Sequence, residues 1–249
     1  MNPIGDDASN PPAGLPRASV ERLLSLPVAE TYKCDARTRV WRVVDRDGRH
    51  YVIKRFEQRG WRHRLAALAG MHPAQKESRA HDRLRTRLIP VVPLAAVGFD
   101  DGGRAFLVAP ESGISVYNWL KRSGPADLGA RRHAVTQQLG SITGQLIEHG
   151  FAHDDHKASN IVMDGEGRLR LIDVGGVRRT RSRRRIERML EALWKNLLTA
   201  AARRVDAAPV GPTRADRLRF HRAMMGRITG SKDRLGKLAS RGDLQWIQW

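Results

Sequence analysis

Apolar and polar residues along the chain fall into two regimes. In the first 110 residues the apolar runs are short and rich in β-branched and aromatic side chains. Arg39–Val44 (RVWRVV) and His50–Phe56 (HYVIKRF) read as strands, and Asp47-Gly48 between them is a hairpin turn signal. Side chains alternate along a strand, so Val52, Lys54 and Phe56 share one face. Arg104–Ala109 (RAFLVA) follows a DDGG turn and reads as a buried strand. Ile89–Val97 carries Pro90 and Pro93 and reads as a loop leading into a short strand. Helical composition interrupts these runs at 18–26, with Ser19 as its N-cap and Glu21 in the first turn, at 61–69, and at 74–87 behind Pro73.

After Pro110-Glu111-Ser112-Gly113, which reads as a linker, the period lengthens. Val116–Arg122 is a short helix. Arg131–His149 is a long one, with Val135, Leu139, Ile142, Leu146 and Ile147 at helical spacing and Gly150 at its C-cap. Arg183–Arg203 begins very basic and turns apolar from Met189, and Arg214–Met225 is another helix. Strands with one or two helices, a linker, then mostly helices predict an α+β fold of two unequal lobes. The expected division is a tail over 1–17, a β-rich N-lobe over 18–110 and a helical C-lobe over 111–249.

Composition changes this picture little. The 249 residues suffice for a substantial core, and 41% are hydrophobic, which excludes a disordered chain. Cys34 is the lone cysteine, so an internal disulfide and a cysteine-rich zinc site are excluded. That fits a reducing cytoplasm. No apolar run reaches the length of a membrane span, and the Pro-, Asn- and Gly-containing start has no apolar segment of a secretory signal. Charge is the outlying property. Lys and Arg number 45 against 26 Asp and Glu, a formal +19. Such a balance suits an acidic partner, or reflects an arginine-rich composition, and composition alone does not choose.

The chemistry gathers in residues 151–175. His153, Asp155 and Asn160 stand in the spacing of the H-R-D-L-x-x-x-N catalytic loop, and Asp173-Val174-Gly175 stands in for D-F-G. Between them Asn160–Met163 and Arg168–Ile172 are apolar runs joined by Asp164-Gly-Glu-Gly167, a hairpin that would bring Asn160 and Asp173 to one place. Phosphoryl transfer needs these residue types. A carboxylate, Asp155, can orient an acceptor hydroxyl and take its proton, while Asn160 and Asp173 offer hard oxygen donors for Mg²⁺. Upstream, Lys54 in VIK can hold nucleotide phosphates and Glu77 can hold that lysine, with Asp82 as a second acid on the same helix. Thr38, with Arg37 and Arg39, stands where a glycine-rich loop would cover the phosphates. Ala109 and Glu111 beside the linker complete the nucleotide-binding candidates. Lys157, Arg178 and Arg179 are candidates for binding substrate. His153 is expected to be a structural hydrogen-bonder and His156 a bystander. Asp154 occupies the usual arginine slot, which argues against dependence on a phosphorylated activation segment.

Taken together, RTRVWRVVDRDGRHYVIKRF, QKESRAHDRL, IPVVPLAAVGFDDGGRAFLVAP, HDDHKASNIVMD, LIDVGGVRR and TRADRLRFHRAMMG resemble the lipopolysaccharide kinase family over roughly residues 33–226. The resemblance implies a protein-kinase-like fold, use of ATP and Mg²⁺, and a Kdo or heptose hydroxyl of the lipopolysaccharide inner core, or a lipid A precursor, as anionic acceptor. It further implies work in the cytoplasm with peripheral contact at the inner face of the membrane. No nucleic acid is expected. The cluster Arg178–Arg188 (RRTRSRRRIER) would meet the acceptor's charge. A Ser/Thr protein or small-molecule kinase of the same fold, and an inert basic pseudokinase, are the competing expectations. Two tryptophans in the terminal LQWIQW suit either an interfacial anchor or packing on the body.

Overall fold

The computed structural model describes residues 14–57, 61–203 and 212–228, without the side chains of 61–64 and 125. Most of the tail and the terminal LQWIQW lie outside the described residues. The chain divides into two compact units. The first runs through Arg83 and resumes at Val92–Glu111, while the second takes Leu84–Val91 and everything from Ser112. The architecture is the expected two-lobed, kinase-like α+β fold, β-rich first and helical afterwards.

The first unit is built on a five-stranded antiparallel sheet. Its strands are β1 (Glu30–Cys34), β2 (Thr38–Val44), β3 (His50–Phe56), β4 (Ala96–Phe99) and β5 (Ala105–Pro110), in the order β1-β2-β3-β5-β4. The expected hairpin forms, with Val40 opposite Lys54 and Gly48 in the left-handed region at φ 75°. One strand escaped the sequence reading. β1 is exposed along its whole length, so it has no apolar alternation to reveal it. Alternation gives the sheet two apolar faces. Trp41, Val43, Ile53, Phe106 and Val108 pack with Val20 and Leu23 of helix α1 (Arg17–Ser25), while Phe56, Ala105 and Leu107 pack with Ala74. Ser19 is not the cap of α1. The cap position is Pro16, with no side-chain hydrogen bond, and Ser19 lies inside the helix. Helices α2 (Trp61–Leu68) and α3 (Pro73–Arg85) follow β3.

In the second unit, β6 (Ile114–Ser115), β8 (Ile161–Met163) and β9 (Leu169–Leu171) form one small sheet, and β7 (Phe151–His153) with β10 (Val177–Arg179) another. Helices α4 (Val116–Arg122), α5 (Pro125–Glu148), α6 (Arg183–Ala202) and α7 (Arg214–Met225) surround them. Helix α5 starts six residues before the apolar period, because Pro125 suits a first turn and Asp127 stabilises it from the N-terminal end. Helix α7 opens with a capping box, Thr213 with Asp216. The Asp216 carboxylate also accepts from Arg132 of α5 at 2.7 Å. Burial pushes its pKa up, but the Thr213 and Arg132 hydrogen bonds outweigh that and hold it below the usual range.

Candidate active site

In the first unit the strand period decides where Lys54 points. Lys54 shares a face with Phe56, and that face is the one α3 covers through Ala74. Glu77 follows Ala74 by one helical turn and meets Lys54, with Nζ 2.7 Å from Oε2. Glu77 is buried and Lys54 mostly so, and such a pair holds the lysine in one geometry. The ammonium also lies 5.5 Å from the Phe56 ring centroid.

Thr38 opens β2, where the glycine-rich loop is missing. Its backbone N–H donates to Asp35 Oδ1 at 2.7 Å, and Arg37 N–H donates to the same oxygen at 2.8 Å. The Lys33 ammonium and these two N–H groups bring Asp35 down to about 2. An Asp-centred turn therefore leads into β2. Ala109 lies on β5 opposite Val52. Glu111 is engaged more than its sequence position suggested. Its carboxylate accepts from Tyr32 Oη at 2.8 Å, lies 2.8 Å from His50 Nδ1 and accepts from Arg42 at 3.4 Å. Burial opposes its ionisation, yet these partners hold its pKa below normal. Its N–H donates to the His50 carbonyl at 2.9 Å.

In the second unit the hairpin does what its pattern promised. β8 and β9 pair with Ile161 opposite Leu171, and Ile172 N–H donates to the Asn160 carbonyl at 2.9 Å. Asn160 is thereby one residue across from Asp173. Gln138 of α5 clamps the hairpin from outside, donating to Gly167 O at 2.8 Å and accepting from Leu169 N–H at 2.9 Å. The buried Asn160 amide donates to both the Asp155 carbonyl and Asp155 Oδ2 at 3.0 Å. Lys157 reaches Oδ2 of the same carboxylate at 2.8 Å. Asp155 and Asp173 are exposed, and Asp173 has φ 52° and ψ 51°. A non-glycine residue in that region carries strain that clusters at functional sites.

Behind the loop, His153 Nδ1 accepts from Asp155 N–H at 3.2 Å, so the neutral ring carries its proton on Nε2. Burial lowers its pKa, against the opposing pull of Asp173, Asp155 and Asp154. His153 N–H meets Met189 Sδ at 3.3 Å, and Ser159 N–H donates to Asn196 Oδ1 at 3.2 Å, so α6 supports the loop from below. Asp154 carries the reversed charge of its slot with purpose. Its Oδ2 accepts from Arg178 at 3.0 Å and its Oδ1 lies 3.5 Å from Arg185, while its N–H donates to Gly176 O. Arg178 therefore has a partner within the protein, and Arg179 beside it on β10 is exposed. The role of Arg185, Asn196 and Tyr32 lay beyond the sequence reading, since each acts through a residue distant in the chain.

A model of the lipopolysaccharide kinase (Kdo/WaaP) family matches residues 20–223. The chain belongs to this family. A comparison with curated proteins found no match. As a lipopolysaccharide kinase it is a phosphotransferase acting on an alcohol group. Asp155, Asn160 and Asp173 of the second unit and the Lys54–Glu77 pair of the first all fall within the matched residues. Among the described residues no cluster of three His, Cys, Asp or Glu side chains is placed to hold a metal.

Proposed function

We propose that this lipopolysaccharide kinase transfers the γ-phosphate of ATP to a sugar hydroxyl of the lipopolysaccharide inner core, on Kdo or heptose. The observation that carries the reading is the Asn160 amide. It ties Asp155 on one side, while its backbone carbonyl accepts from Ile172 N–H, the residue before Asp173, on the other.

Lys157 and Asn160 both occupy Oδ2 of Asp155. Oδ1 is then the oxygen that receives the acceptor proton. The acceptor oxygen forms a bond to the γ-phosphorus, the bond from that phosphorus to the bridging oxygen breaks, and ADP leaves. Lys54, fixed by Glu77, holds nucleotide phosphates. Asp173 and the Asn160 side-chain oxygen are suited to Mg²⁺, since the Asn160 nitrogen already faces Asp155. Magnesium, when bound, neutralises phosphate charge. In this reading Thr38 with the Asp35 turn, and Ala109 with the Glu111 carbonyl, meet the nucleotide. Lys157, and Arg179 with the remaining arginines of 178–188, meet the acceptor's anionic groups. The acceptor is lipid-anchored, so the enzyme works at the cytoplasmic surface of the inner membrane as a peripheral protein. Among the described residues no helix is long and apolar enough to cross a membrane.

Thermal stabilisation by ATP with Mg²⁺ tests the nucleotide half. The wild type gains stability and Asp173→Ala gains little. Equal gains overturn the assignment of Asp173. Acceptors ending at Kdo, compared with acceptors extended to heptose, then identify the sugar.

A further inference from the structure

The first unit carries an apolar surface that the kinase reaction does not use. Leu65 and Leu68 of α2, Met71 in the turn after it, and Val97 and Phe99 of β4 are all exposed, Leu68 at 86% and Met71 at 57%. These five are half of the large hydrophobic side chains exposed among the described residues. They form one region. His72, next to Met71, packs edge-on against Phe99 with ring centroids 5.8 Å apart. A shallow depression of about 300 Å³ joins the turn after α2 and the flank of α3 to β4, lined by Gly70, Gln75, Ser78, Arg79 and Val97. β4 is an edge strand, so Val97 and Phe99 have no strand on their far side.

On its α2–α3 side this patch is cationic, while past Phe99 come Asp100, which is paired with Arg104, and the exposed Asp101. Residues 58–76 contain Arg59, Arg62, Arg64 and Lys76 and no Asp or Glu. On α3, Lys76, Arg79 and Arg83 are exposed at a spacing of three and four, which is one helical stripe. An apolar face bordered by arginine and lysine is the composition of a segment that lies in the interface of an anionic bilayer. A second copy of the chain fits poorly. A two-fold interface would set the same basic rim against itself, on molecules of formal charge +19.

We infer that the end of α2, the turn to α3 and the outer face of β4 form a docking surface for an anionic phospholipid membrane. Leu68, Met71 and Phe99 enter the boundary between headgroups and acyl chains, and Lys76 and Arg79 pair with headgroup phosphates. The idea deepens the proposed function by naming the surface in which the acceptor is embedded, and it rests on that reading for its purpose alone. Its test contains neither ATP nor sugar, so the two can fail separately.

Flotation of the full-length protein with phosphatidylcholine vesicles, with and without phosphatidylglycerol, is the experiment. The wild type floats with the mixed vesicles and is released by salt. Leu68→Glu combined with Met71→Glu lowers vesicle affinity about tenfold or more, with an unchanged Tm and an unchanged response to ATP. Arg79→Glu weakens binding and flattens its salt dependence. Undiminished flotation of the double variant, or no flotation of the wild type, overturns the proposal. So does a wild-type dimer, seen by sedimentation without lipid, that the double variant dissolves.

Discussion

His156 is buried behind the catalytic loop, 3.0 Å from Thr143 Oγ1, and burial pushes its pKa down to about 3. The folded protein keeps it neutral while the unfolded chain protonates it near pH 6.5. The unfolded state binds more protons between these values, so stability is full above about pH 6.5 and falls as pH drops toward 3. The loss is on the order of a few kcal/mol. Urea unfolding at stepped pH should show it, and His156→Gln should flatten that slope. An identical slope in the variant would remove His156 as its source. Asp154 gives a second residue-scale expectation. Its ion pairs are half exposed, so Asp154→Ala should cost under about 1 kcal/mol of stability. Arg178 and Arg185 lose their side-chain tie to the catalytic loop while the β7–β10 pairing remains, and kcat should fall about tenfold with KM for ATP unchanged. A changed KM with unchanged kcat would place Asp154 in nucleotide binding instead.

Between elements, two positions behave in opposite ways toward glycine. The end of α3 forms a Schellman motif, with Ile89 N–H donating to Leu84 O and Leu88 N–H to Arg85 O, both near 3.0 Å. Leu88 sits at the left-handed position with φ 55° and is exposed, while Ile89 and Leu84 are both buried. Leu88→Gly should therefore stabilise by about 1 kcal/mol, read as a higher Tm. Gly140 is the reverse. A Cβ there would lie 2.3 Å from the Phe220 carbonyl oxygen, and one at Gly144 2.4 Å from that of Met224, because α7 crosses α5 at backbone contact. Gly140→Ala should destabilise by about 1–3 kcal/mol despite the better helix propensity of alanine, which chemical denaturation can measure. These contacts mark where legibility ends. Periodic elements such as β2, β3, α6 and α7, and the hairpin beneath Asp173, were readable because their patterns are local. The α5–α7 crossing, the exposed strand β1 and the cap of α1 were not, since each depends on a partner remote in sequence or on a backbone without an apolar signature. For the candidate site, the spacing of Asp155, Asn160 and Asp173 was readable in advance. The engagement of Glu111 by Tyr32, His50 and Arg42 was not, because no local pattern links those four positions.

For the whole molecule, a lipopolysaccharide-kinase-family chain carries +19 formal charges, which suits the anionic, membrane-bound acceptor proposed for it. Exposed charges are screened over about 8 Å at physiological salt, so in the proposed reading charge steers the encounter while the Lys54–Glu77 pair and the Asn160–Asp155 tie set the chemistry. The most direct measurement is transfer of radiolabelled γ-phosphate from ATP to Kdo-bearing lipid A by the wild type and by Asp155→Asn. The wild type should label the sugar, in preference to a generic protein acceptor, and the variant should transfer about 10²–10⁴-fold more slowly. Equal rates from the variant, or label that goes to protein and not to sugar, would contradict the account.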